Sequence, residues 1–134
     1  MAAQFQLEII TPTQVFDEGV VDYLRAPGVD GAFGVMAGHT ASIMALDVGE
    51  IKVVKGKVEA IYAATKGFAE ITESGVQLLV ESAEPKADID LPRAQEAFDR
   101  AKDLLSRKQD ESVDEARAEV ALKRAMNRLR VGGK

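Results

Sequence analysis

Asp88-Ile89-Asp90-Leu91-Pro92-Arg93-Ala94 opens the last third of the chain, and Ala121-Leu122-Lys123-Arg124-Ala125-Met126-Asn127-Arg128-Leu129-Arg130 all but closes it. Between these segments the apolar residues adopt a helical period. Leu91, Ala94, Phe98, Ala101 and Leu105 fall at alternating three- and four-residue steps, one apolar stripe along a helix. Asp90 suits the N-cap, and Pro92 is tolerated in the first turn. Gln109-Asp110-Glu111-Ser112 interrupts the stripe. Ser112-Val113-Asp114-Glu115 has capping-box spacing and starts a second helix, whose stripe is Ala118, Leu122, Ala125 and Leu129 and which Gly132-Gly133 stops. So short a connection makes an antiparallel helical hairpin. Alanine-rich stripes let the helices approach closely but bury little area. At roughly 25 cal/mol per Å² the seam supplies only a few kcal/mol before conformational entropy is subtracted. The hairpin is therefore expected to be the less stable part of the chain, able to undock.

The residues upstream read as strands and turns. Gln4 to Ile10 alternates polar and apolar, a half-buried strand broken by Thr11-Pro12-Thr13-Gln14. A second run extends from Val15 to about Ala26, and Pro27-Gly28-Val29-Asp30-Gly31 turns the chain. Short runs follow at Gly31–Val35, Ser42–Leu46, Gly49–Val54, Val58–Ala63, Gly67–Ile71 and Val76–Glu81, separated by glycine- and lysine-bearing turns. Many short strands without interleaved long helices argue for a sandwich or barrel and against a doubly wound nucleotide fold. Pro85 closes the β part. The expected fold is α+β and mainly β, with a β-sandwich over residues 1–86 and an α-helical hairpin over 87–134.

Composition narrows the function. With no cysteine and one histidine, disulfides, thiolate metal sites and histidine metal clusters are excluded. No apolar run approaches the length of a membrane span and the N-terminus does not read as a signal peptide, so a soluble protein is expected. The net charge of −5 is unevenly placed. Residues 1–86 hold 12 acidic and 6 basic side chains; residues 117–134 hold 6 basic ones against Glu119 alone. An acidic body argues against general nucleic-acid binding, whereas a cationic terminal helix suits a specific anionic partner.

Catalytic templates fail. There is no Walker phosphate loop, no Gly-x-Ser-x-Gly elbow and no calcium-loop spacing. Gly31-x-x-Gly34 reads as tight turning, and His39 as a loop residue with a structural hydrogen bond. The arginines are more informative. Arg93 and Arg100 lie on one side of the first helix, Arg124 and Arg128 on one side of the second, and an antiparallel hairpin brings the start of one beside the end of the other. Two readings stand. The four guanidinium groups converge to grip phosphate oxygens, or they pair within their helices with Glu96 or Asp99. The arginines alone also allow a stand-alone adenine-nucleotide sensor, and scattered carboxylates with His39 are all that would support an enzyme.

Along nearly its whole length the sequence resembles the epsilon-subunit family of bacterial F-type ATP synthases. The matching segments are Thr11-Pro12, Ala26-Pro27-Gly28, Gly31-Ala32-Phe33-Gly34-Val35, Gly38-His39, Gly67-Phe68-Ala69-Glu70, Asp88-Ile89-Asp90 through Arg93-Ala94, and Ala121 to Leu129. The resemblance implies about ten strands, no catalytic residue, no metal, and a peripheral place in the rotor's central stalk on the cytoplasmic face of the bacterial inner membrane. There the sandwich would bind the gamma subunit and the c-ring, through a rotor-facing set Gly31, Gly34, Gly38 and His39. The hairpin would lie down on the sandwich or extend upward and inhibit ATP hydrolysis. Arg117, Lys123, Arg124, Arg128 and Arg130 would then face an acidic segment of the catalytic beta subunits. Some members bind ATP as a regulatory ligand through Ile/Leu-Asp-x-x-Arg-Ala, here Ile89-Asp90-Leu91-Pro92-Arg93-Ala94, with Glu84, Arg100, Arg124 and Arg128 as further ligands by position. ATP would hold the hairpin down by binding that state better. The chain departs from the family pattern at Met36-Ala37-Gly38-His39-Thr40, which lacks two prolines, at Lys66 before Gly67-Phe68, and at Pro92, which removes a backbone donor inside the ATP motif.

Overall fold

The computed structural model describes residues 3–107 and 109–134. Ten strands come first: β1 (Phe5–Ile10), β2 (Val15–Val21), β3 (Tyr23–Gly28), β4 (Gly31–Val35), β5 (Ser42–Leu46), β6 (Gly49–Lys55), β7 (Val58–Ala64), β8 (Gly67–Thr72), β9 (Gly75–Val80) and β10 (Ala83–Pro85). A single 3₁₀ turn (Lys86–Asp88) leads into α1 (Leu91–Ser106) and α2 (Glu115–Gly132). The strands hydrogen-bond in the order β10-β7-β6-β3-β5-β8-β9-β1-β2, with β4 beside β3 off this path. This one continuous ladder folds over on itself as a sandwich, and the α+β, mainly β expectation is met.

Period-two alternation builds the core. Leu7 and Ile9 of β1, Ile51 and Val53 of β6, and Val76, Leu78 and Val80 of β9 point inward, joined by Val21, Leu24, Val35, Leu46 and Ile71. Gln77, between two of these, faces out and donates to Glu8 at 3.1 Å.

The structure adds three details to the sequence reading here. The run from Val15 to Ala26 is two strands, bent at Asp22. The Asp22 carboxylate accepts from the Gly56 N–H at 2.6 Å and from Gln4 Nε2 at 3.1 Å, so its side chain ties the corner where the chain leaves β2 for β3. The short β10 adds an edge to β7, pairing Glu84 with Ala63; Pro85 is accommodated because an edge strand need not use that N–H. β1 pairs with β9 in parallel, Leu7 beside Val76, against antiparallel pairing elsewhere.

The helices form an antiparallel hairpin whose fully buried seam residues are Ala94, Ala101, Ala118 and Ala125. Asp90 caps α1 by accepting from the Arg93 N–H at 3.1 Å. Pro92 sits in the first turn, where the first intrahelical bond is Ala94 N–H to the Asp90 carbonyl, so its missing donor interrupts no helical hydrogen bond. The second helix begins two residues later than a Ser112 cap implies. Asp114 is the cap, accepting from Arg117 N–H at 3.1 Å, because the Ser112 N–H and hydroxyl are already held by Asp110 Oδ1 at 2.9 and 2.8 Å. Gly132 lets the start of α1 close over the end of α2: a Cβ there would stand 2.8 Å from Leu91 Cδ2 and 2.9 Å from Ile89 Cγ2.

Candidate functional site

α2 has two working faces. One, through Ala118 and Ala125, meets α1; the other, through Asn127 and Val131, is buried toward β6 and β7. Asn127 Nδ2 donates to the Gly49 carbonyl at 2.8 Å and the Ala64 carbonyl at 3.3 Å. Two carbonyl partners fix the amide's orientation, since only its NH₂ can donate to both. Its Oδ1 is buried without a donor among the described residues. Gly49 packs against Pro27, which explains the small residue where its carbonyl must reach the helix.

Around Asn127 lies a cleft of about 450 Å³ between hairpin and sandwich, whose polar lining includes Thr65, Ser82, Glu84, Asp88, Arg124 and Arg128. Arg128 makes a two-pronged pair with Glu84, Nε to Oε1 at 2.8 Å and NH2 to Oε2 at 3.2 Å, half-buried on both sides. Arg124 reaches Glu81 at 3.0 Å, Lys123 reaches Asp47 at 3.4 Å, and Lys134 reaches Glu50 at 2.5 Å. The Asp47 carboxyl is held below its ordinary range chiefly by the Val48 N–H at 2.7 Å; burial opposes this, and Lys123 lowers it further.

The predicted nucleotide ligands divide into two groups. Glu84, Arg124 and Arg128 line the cleft together. Ile89 packs at Gly132, the Asp90 carboxylate caps α1, and Ala94 is buried in the seam. Arg93 and Arg100 are exposed on α1 and, among the described residues, make no ion pair. The intrahelical pairing that the sequence also allowed is formed by none of the four among the described residues: Arg93 and Arg100 pair with neither Glu96 nor Asp99, and Arg124 and Arg128 cross to the sandwich. Of the other cations, Arg117 and Arg130 are exposed.

The rotor-facing set is split as well. Gly38 (φ 84°) and His39 lie in the loop after β4, near the β8–β9 turn in one surface depression, whereas Gly31 (φ 125°) ends the β3–β4 hairpin at the other end of β4. Gly34 lies within β4 opposite Arg25, and only glycine fits because the Tyr23 ring occupies the space of any side chain there. His39 is exposed, with Nδ1 3.0 Å from the Thr40 carbonyl oxygen, the structural hydrogen bond expected of it. On the outer sheet face, Ala45, Phe68, Leu79 and Ile10 form a cross-strand row along a groove of about 670 Å³, and Phe68 is 57% exposed. Tyr62 of β7 donates its hydroxyl to Glu18 of β2, which also holds Lys55 at 2.9 Å.

Sequence reasoning missed Asn127 as a docking residue, along with the acidic row Asp47, Glu50 and Glu81. The available signal was a second periodicity on α2: Arg124, Asn127 and Val131 recur at three and four residues, offset from the alanine stripe.

A ten-stranded sandwich with a helical hairpin clasped to its edge by polar contacts defines the class, a two-part β-sandwich and hairpin protein. ATP synthase, Delta/Epsilon chain, beta-sandwich domain, matches residues 4–86, and the long alpha-helix domain of the same chain matches residues 87–133. The chain belongs to the delta/epsilon chain family of ATP synthases, whose epsilon chains are non-catalytic subunits of that complex. It is 42% identical over 134 residues to the ATP synthase epsilon chain of Nitratidesulfovibrio vulgaris (strain DP4), covering 99% of this chain and 98% of that one. The epsilon chain of Halalkalibacterium halodurans is 36% identical over 128 residues, 96% of each. Among solved structures, a chain of the Euglena gracilis mitochondrial ATP synthase (OSCP/F1/c-ring) superposes with a TM-score of 0.82 at 25% identity, over 93% of this chain and 79% of that one. No described helix is long and apolar enough to cross a membrane.

Proposed function

We propose that this chain is a central-stalk rotor subunit that couples the gamma subunit to the c-ring, and that its hairpin, docked here, restrains ATP hydrolysis when it lifts toward the catalytic beta subunits. The observation that carries this reading is the interface between α2 and the sandwich. It is built from four ion pairs and one buried amide beside Val131, and water can replace the polar contacts when the hairpin parts from the sandwich. The exposed row around Phe68 supports the coupling role, because an apolar strip on an otherwise acidic body marks a partner surface. The subunit would sit peripherally on the cytoplasmic face of the bacterial inner membrane. ATP is the proposed regulatory ligand of the docked state. To grip a triphosphate, Arg124 and Arg128 exchange Glu81 and Glu84 for phosphate oxygens, with Arg93 and Arg100 supplying free guanidinium groups from α1.

Adding the chain to a reconstituted catalytic head is expected to slow ATP hydrolysis, and truncation after residue 86 to relieve it. A head indifferent to both would overturn the inhibitory role. Arg93→Ala or Arg124→Ala is expected to weaken ATP binding by about 1.5–3 kcal/mol, the range for charge-assisted hydrogen bonds. Calorimetry with no ATP binding to the wild-type chain at millimolar concentration would remove the nucleotide reading.

A further inference from the structure

We infer that the sandwich edge is a built-in acidic decoy. Asp47, Glu50, Glu81 and Glu84 occupy the cations of α2 and its C-terminal end, so docking is decided by competition between this edge and any external polyanion. Four of the six basic side chains in 117–134 are engaged in this way: Lys123 with Asp47, Arg124 with Glu81, Arg128 with Glu84 and Lys134 with Glu50. The carboxylates come from four separate places, the β5–β6 turn, β6, the end of β9 and β10, so only the folded sandwich assembles them. The helix also forgoes its own pairing. Glu119 stands four residues before Lys123, the favoured order and spacing for an intrahelical pair, yet Lys123 turns to Asp47, and no ion pair within α2 occurs among the described residues. The charge balance agrees, +5 on residues 117–134 set against −6 on residues 1–86.

An exposed ion pair contributes little by itself, but these four act in parallel on one docking equilibrium whose remaining contacts are few. The same ammonium and guanidinium groups cannot serve two sets of carboxylates at once. An acidic protein segment that captures the lifted helix must therefore displace the sandwich edge, and screening by salt loosens the docked state first. This inference deepens the proposed lifting of the hairpin and depends on it for its regulatory meaning; the latch itself belongs to the isolated chain.

The test uses the full chain, which has no cysteine of its own, labelled through Val58→Cys and Val120→Cys at two exposed positions for distance measurement. Raising NaCl from about 0.05 M to about 1 M should lower the docked-to-undocked ratio severalfold. Poly-glutamate at low salt should do the same, and an uncharged polymer at the same mass concentration should not displace the helix. Asp47→Lys with Glu50→Lys should lower the ratio about tenfold, and adding Lys123→Glu with Lys134→Glu should restore most of it. An unchanged ratio throughout, a hairpin already undocked at low salt, or a reversal that the swap does not rescue would each overturn the decoy. These four positions lie outside the proposed nucleotide set. Lack of ATP binding beside an intact salt response thus removes only the nucleotide reading, and salt-indifferent docking beside an inhibited catalytic head removes only the decoy.

Discussion

Asn127 brings an amide into the buried docking face, where an apolar residue would have packed more simply. What the amide adds is direction: its two donors reach the Gly49 and Ala64 carbonyls, so α2 docks in one register. Asn127→Ala leaves both carbonyls short of a donor and is expected to destabilise docking by about 1–3 kcal/mol, read as faster amide exchange along α2 with β1 and β9 unaffected. Tyr62, on β7, ties that strand to Glu18 of β2. Burial, then its bond to Glu18, hold its phenol far above the ordinary 10.0. A folded value raised above the unfolded one gives stability that is complete below pH 10 and is lost as pH rises beyond it. Alkaline unfolding should therefore be shallower in Tyr62→Phe than in the parent, which denaturant titrations across that range can check. Neither role was legible beforehand. A polar residue within a helix and a tyrosine within a strand acquire partners only when distant segments meet.

At the level of elements, the alanine stripes, Asp90 as cap and the glycine stop were all readable, because they follow from spacing and local chemistry. The start of α2 was not. Ser112 and Asp114 both offer capping side chains, and the choice is made by Asp110, which takes both Ser112 donors into a turn. Asp114→Ala should consequently cost about 1 kcal/mol of helix stability, whereas Ser112→Ala should cost much less. Thermal melts of the two variants followed by circular dichroism distinguish the assignments, and equal losses would speak against Asp114 as the cap. The strands show the same division. Most of their positions and their alternation were visible, but the bend at Asp22 depends on Gly56 and Gln4, which no local pattern connects to it.

For the whole molecule, the family resemblance carried what the pattern could not: the strand total and the meaning of a cationic hairpin on an acidic body. Which face of α2 meets which strands came only from the structure, and with it the division of the predicted ligands between cleft and exposed helix. Acid should act on this arrangement through Asp47. Its depressed folded value contributes stability above the ordinary 3.8 that is lost as pH falls from there through the folded value. Most of that stability belongs to the β5–β6 turn, but protonation also removes the carboxylate that Lys123 pairs with. Acidification is thus expected to loosen the hairpin, with earlier exchange of α2 amides, while the apolar interior of the sandwich persists; simultaneous loss of both would contradict this.

The parallel pairing of β1 with β9 has a temporal consequence. Leu7 cannot meet Val76, nor Glu8 meet Gln77 across 69 positions of sequence, until nearly the entire β part has been synthesised. A loop that long must close before its contacts reward it, which slows the step. On the ribosome the first strand therefore emerges with only its hairpin partner β2. It waits for β9, and the helices, made last, reach a sandwich that has only just become able to receive them.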